Sequence, residues 1–218
     1  LGLAVEDVEG DEVLAGAVRL DDRGDERLRD LGEVREQLAR VLRDLMDRGK
    51  PVIALATDIR CPGIRYVGPD NRQAGRVAGD MMGRLLGPAG GEVLVIAGHL
   101  SMMGHGQRIE GFGQVLAESY PACHIVQVTE SLDQRALAGE IAWQALRRHP
   151  AIRGIYNAAV GALPVADALI RLNRAGDVVL ITHDLTPDRR ELLRQGVLDV
   201  VIDQDPIAEI DHAAAIIA

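Results

Sequence analysis

The sequence predicts an α/β protein built on a parallel sheet, and three observations carry that reading. Between Val52 and Asp203, apolar runs of strand length alternate with segments of helical period. Those runs are almost continuously aliphatic, as expected of strands covered by helices on both faces. With 218 residues the chain can hold one large or two smaller α/β domains and bury roughly 70% of the surface its unfolded form exposes. Apolar residues make up 47% of the chain and aromatics only 2%, so the core has to be aliphatic.

Taken in order, the first fifty residues follow this rhythm least well. DEVLAGAVRL (11–20) reads as one strand, and Leu28, Leu31, Leu38, Val41, Leu42 and Leu45 mark the apolar stripe of a helix with Arg, Asp and Glu opposite. Strands are then expected at 52–57 (VIALAT), 64–68 (IRYVG), 92–98 (EVLVIAG), 124–129 (HIVQVT), 152–158 (IRGIYNA), 178–182 (VVLIT) and 198–203 (LDVVID), with helices between them. Asp70 or Asn71 can cap a helix whose buried face is Ala74, Val77, Ala78, Met81 and Leu85, and Gly87-Pro88 stops it. Another helix carries Ile109, Phe112, Leu116 and Tyr120, with Arg108 beside that stripe. Thr186-Pro187 supplies an N-cap followed by proline at the first helical position, and Gly196 supplies the stop.

Charge and motifs exclude several classes of function. Basic residues number 24, of which only Lys50 is a lysine, against 33 acidic ones, and the net charge of −9 disfavours a grip on nucleic acid by this segment. Cys61 and Cys123 stand far apart without CxxC or His/Cys ligand spacing, so free thiols in a reducing compartment are expected rather than a metal site or a disulfide. No run reaches the ~18 apolar residues of a membrane span. GPAGGE (87–92) is neither a P-loop nor a GxGxxG turn, and GHLSMMGHG (98–106) contains no HExxH. Ser101, His105 and Asp184 are the residue types of a hydrolytic triad, yet no GxSxG elbow presents the serine. No catalytic residue, cofactor or metal is therefore expected.

What remains is a binding edge. In parallel α/β sheets ligands meet the carboxyl ends of the strands. Asp58, His99, Asn157, His183-Asp184 and Asp203-Gln204 each follow or close an apolar run there. Asp and Asn are common in any turn, but their recurrence along one edge singles that edge out. Arg108 can reach over it and donate a fork of hydrogen bonds.

Four stretches, YVGPDNRQAGRVAGDMM (66–82), RIEGF (108–112), PAIRGIYN (150–157) and ITHDLTPDRRELLRQGVLDVVIDQDP (181–206), together resemble one sugar-binding module. It is shared by the lactose-repressor (LacI) family of transcription regulators and the ribose-binding-type periplasmic proteins, and the resemblance covers roughly residues 50–212. The last stretch is the most specific: an acidic strand end, a Thr-Pro helix start, Gly, an apolar strand and Gln-Asp-Pro recur there in that order and at that spacing. The resemblance implies a two-lobed, type I periplasmic-binding-protein-like fold with parallel sheets flanked by helices and an incomplete first lobe. Residues 1–69 and 205–218 would form the N-terminal lobe and 70–204 the C-terminal lobe.

A sugar or polyol would lie between the lobes, held by Asp58, Arg108, Asn157, Asp184 and Gln204, although Asp58 sits a residue or two later than the family's first-lobe aspartate. Tyr156 and Phe112 are the nearby aromatics, candidates either to stack on a ring or simply to fill the core. By this resemblance the chain is the effector-binding domain of a LacI-type regulator. It would be a cytoplasmic homodimer that acts on operator DNA through a headpiece outside this chain. The alternative is a periplasmic solute-binding protein of a sugar ABC transporter, with a secretion signal upstream.

Overall fold

Seven strands, each parallel to its neighbours, are divided between two sheets among the described residues. A computed structural model of the chain describes residues 36–59 and 61–217; the expected strand at 11–20, Leu28 and Leu31 lie outside them. The small sheet pairs β1 (Ile53–Leu55) with β2 (Arg65–Val67). The large one is formed by β3 (Gly91–Ala97), β4 (Cys123–Glu130), β5 (Ile152–Asn157), β6 (Val179–His183) and β7 (Val200–Ile202), in the order β4-β3-β5-β6-β7. Every strand lies within two residues of the limits expected from its apolar run.

The helices are α1 (36–47 of the described stretch), α2 (Asn71–Leu86), α3 (Met103–Ser119), α4 (Arg135–Arg148), α5 (Ala162–Arg171), α6 (Pro187–Arg194) and α7 (Pro206–Ile217). Because successive strand side chains point to opposite faces, the large sheet supports two aliphatic cores. Leu94, Ile96, Ile155 and Leu180 pack on one face against Ala138, Ala142, Val165 and Leu169 of α4 and α5. Val93, Val95, Tyr156 and Ile181 pack on the other against Ala78 and Met82 of α2 and Phe112 and Leu116 of α3. Both faces are covered, which is why these runs carry no polar alternation. Trp143 of α4 lies at the margin of the first core, with the Arg171 guanidinium 4.7 Å from its ring centre and that of Arg147 at 6.0 Å.

The buried face of α2 differs from the expected stripe. Asn71, Gly75, Ala78, Gly79, Met82, Gly83 and Leu86 are buried, whereas Val77 and Leu85 are exposed. The reason is glycine. Gly75, Gly79 and Gly83 follow at one-turn intervals and let α3 lie against the α2 backbone: a Cβ on Gly75 would overlap the Arg108 carbonyl, and one on Gly83 the Tyr120 ring. Glycine carries no hydrophobic signal, so the apolar count pointed about one residue to the side. α3 shows the complementary correction. Arg108 is part of its buried face, with Gly111, Phe112, Val115 and Leu116, rather than beside it.

α7 carries the chain from the last strand back to the small sheet, where it contacts β1 and β2. Leu38, Val41 and Leu45 of α1 are exposed, while Ala39, Leu42 and Met46 form its half-buried face. Cys61 and Cys123 are buried free thiols. No helix among the described residues is long and apolar enough to cross a membrane.

Candidate functional site

A cleft of about 340 Å³ opens between the end of β2 and the N-termini of α2 and α3, lined by Asp58, Tyr66, Gly68, Pro69, Asp70, Asn71 and Gln107. Its wall is set by how α2 begins. Asp70 is the N-cap, its Oδ1 accepting the Gln73 N–H at 2.9 Å. Asn71 is thereby free to turn inward, where its Oδ1 accepts from Arg108 Nε at 2.8 Å and its Nδ2 donates to the Tyr66 hydroxyl at 3.4 Å. Arg108 Nη1 donates to the Ala158 carbonyl at 3.1 Å, so this guanidinium, in a residue only 8% exposed, bridges α2 and the end of β5. The Tyr66 hydroxyl donates to the Pro69 carbonyl at 2.9 Å. Burial first, then the charges of Glu209 and Asp58, push the Tyr66 phenol above its ordinary pKa and keep it a donor.

A second polar group gathers at the ends of β6 and β7. Asp184 follows β6 in the left-handed region (φ 63°), and its N–H donates to the Ile202 carbonyl at 2.9 Å. Its carboxylate accepts from Gln204 Nε2 at 2.6 Å, and Arg189 Nη1 donates to its backbone carbonyl at 3.0 Å. Asp203 accepts the Leu185 N–H at 2.8 Å, and Asp205 accepts the Ala208 N–H at 3.0 Å at the start of α7. The polar cluster after β7 thus combines one amide bonded to Asp184 with two loop-fixing carboxylates. Thr186 precedes Pro187 as expected, but its hydroxyl donates to the Asp188 carboxylate rather than accepting a helix N–H.

The five residues picked out by sequence fall into different settings. Asp58 lines the cleft, Arg108 stands behind Asn71 in its wall, and Asp184 and Gln204 form their own pair. Asn157 is fully buried and its Nδ2 donates to the Val160 carbonyl at 3.3 Å, clamping the turn between β5 and α5. Tyr156 and Phe112 are core: both are fully buried and stack on each other with ring centres 4.5 Å apart. The aromatic of the cleft is Tyr66. In the core, the Tyr156 hydroxyl meets His183 Nε2 at 2.7 Å, and burial, reinforced by the Arg108 charge, depresses the His183 pKa to about 2.

Sequence reasoning missed Asn71, Tyr66 and Gln107. The signal for Asn71 was the doublet Asp70-Asn71: both residues are good caps, and only one of them can cap.

The model of the periplasmic binding protein domain matches residues 34–218. The chain belongs to this family. Relatives of this periplasmic binding protein domain include the D-allose-binding periplasmic protein of Escherichia coli (strain K12), 26% identical over 142 residues, which make up 65% of this chain and 45% of that protein. Among solved structures, GanP, a glucose-galactose binding protein from Geobacillus stearothermophilus, superposes with a TM-score of 0.76 at 26% identity, covering 84% of this chain and 65% of that one. An ABC transporter solute-binding protein from Burkholderia graminis C4D1M in complex with D-arabinose gives 0.77 at 28% identity, again covering 84% of this chain and 65% of its own. The chain thus spans under two thirds of the length of each of these relatives. A cleft lined by carboxylates, amides and a phenol, with the Arg108 guanidinium behind Asn71, suits such a domain, because sugar hydroxyls both donate and accept.

Proposed function

We propose that this chain binds a small sugar or polyol at the junction of its two sheets, as the ligand-binding part of a sugar transporter's solute-binding protein. The observation that carries this reading is the Tyr66–Asn71–Arg108 network, in which the buried Arg108 stands behind two residues, Tyr66 and Asn71, of a cleft that Asp58 also lines. Charged hydrogen bonds to hydroxyls contribute ~1.5–3 kcal/mol each, and polar groups left unmatched penalise the wrong sugar. Approach of the small sheet with α7 toward the large sheet would bring Asp184 and Gln204 to the ligand, and a ligand that binds the closed arrangement better shifts the population toward it.

The sugar-binding proteins named above favour this reading over the LacI-type regulator that the motifs suggested. The homodimer, the operator DNA and the cytoplasmic location belong to that regulator reading. Cell fractionation separates the two: protein outside the cytoplasmic membrane supports the transporter component, and cytoplasmic protein that retards operator DNA supports the regulator.

The site is tested by thermal unfolding with D-allose, D-arabinose, D-xylose, D-glucose, D-galactose and a set of polyols. At least one should raise the Tm. Arg108→Ala and Asp184→Ala should each abolish that rise while leaving the circular dichroism unchanged. Wild-type shifts in both variants would show that the ligand binds elsewhere.

A further inference from the structure

Asn71 is used at both ends of its side chain while being only 4% exposed. Its Oδ1 holds Arg108 Nε and its Nδ2 reaches Tyr66, and Gly104 at the start of α3 leaves it room, since a Cβ there would lie 3.1 Å from the amide nitrogen. Arg108 has no carboxylate partner among the described residues; Asn71 and the Ala158 carbonyl, both neutral, are its acceptors. A guanidinium is a planar fork on a long flexible stem. Fixing Nε and Nη1 fixes its plane, and the acceptor for Nε is one side chain.

We propose that Asn71 is a positioning residue for ligand binding: it orients the Arg108 guanidinium in the cleft wall and ties that orientation to Tyr66 at the end of the small sheet. Asn71 serves a ligand in this way only if the cleft is the sugar site proposed above, whereas its hold on Arg108 does not depend on that reading.

Two readouts on the full 218-residue chain test the assignment. The Arg108 Nε–H resonance of ¹⁵N-labelled protein, assigned by its loss in Arg108→Lys, should be protected from solvent exchange in the wild type. Exchange should accelerate about tenfold or more in Asn71→Ala and in Asn71→Ser, a shorter side chain suited to a helix start, whereas Asn71→Asp, which keeps an acceptor in place, should retain protection. For the sugar from the thermal panel that binds best, Asn71→Ala and Asn71→Ser should raise Kd about tenfold or more, and Asn71→Asp should recover most of the loss.

Unchanged Nε–H exchange in Asn71→Ala or Asn71→Ser overturns the assignment. So does equal loss of affinity in the Asp and Ala variants, which would mark a merely structural residue. If no sugar shifts the wild type, the ligand role falls with the proposed function, and the exchange measurement alone decides whether Asn71 orients Arg108.

Discussion

At the residue scale, the site depends on which groups are held and by what. Arg108→Lys keeps the charge, but a single ammonium cannot meet both Asn71 Oδ1 and the Ala158 carbonyl in the geometry of a planar fork. One buried acceptor is then left short. The expected result is loss of sugar binding together with about 1–3 kcal/mol of stability by urea denaturation. Asp184 behaves oppositely. Its left-handed backbone favours glycine, so Asp184→Gly should unfold at the wild-type urea midpoint or slightly above it while losing the sugar-induced rise in Tm. A large stability loss in Asp184→Gly would mean that the bond to Gln204 is structural rather than part of the ligand site.

At the scale of elements, α2 and α3 show how two like substitutions can differ in sign. Gly75→Ala places a methyl against the Arg108 carbonyl backbone and has to push α3 outward, for a loss of about 1–3 kcal/mol. Gly113→Ala, inside α3 and with only Ile125 Cδ1 near at 3.7 Å, should instead gain about 0.5–1 kcal/mol from helix propensity. Denaturant midpoints of the two variants on opposite sides of the wild type are the expected outcome; midpoints on the same side would refute the close helix pair.

This pair also marks where the sequence became hard to read. The inner strands of the large sheet were legible because a doubly covered strand is a nearly continuous apolar run between turn residues. The face of α2 was not, because Gly75, Gly79 and Gly83 bury backbone rather than side chains. Arg108, Asp184 and Gln204 were visible as polar residues at strand ends or helix starts. Asn71 looked like one half of a capping doublet, and its inward turn depends on α3, thirty-odd residues later in the chain. For Asn157, position at a strand end pointed to a ligand contact, whereas its Nδ2 donates to its own turn and its Oδ1 is buried without a hydrogen-bond partner among the described residues.

For the whole molecule, the clearest expectation concerns acid. His183 is neutral when folded, with a pKa near 2 against an ordinary 6.5, so below pH 6.5 the unfolded chain takes up a proton that the native state refuses. Its contribution to stability is complete above pH 6.5 and declines as pH falls, at most by ~1.4 kcal/mol per pH unit. His105, whose pKa is also lowered chiefly by burial, acts in the same direction. His183→Gln, which can still bond to Tyr156, should remove the larger part of the decline between about pH 6.5 and 4.5, above the range where most carboxylates titrate. Urea midpoints measured against pH check this, and an unaltered acid limb would place its origin in other groups. If a sugar draws the small sheet and α7 toward the large sheet, as proposed, the radius of gyration by solution scattering should fall when the sugar is present.

Trp143, the only tryptophan in the sequence, sits on α4 with Arg171 over its ring, at the edge of the core formed by α4, α5 and the large sheet. The cleft lies instead by β2, α2 and α3. Its emission will therefore follow melting of the large sheet but stay nearly silent when a sugar enters. A flat fluorescence titration would be an optical blind spot rather than a sign of an empty site, and a dye attached near Gln107 would be the more informative reporter.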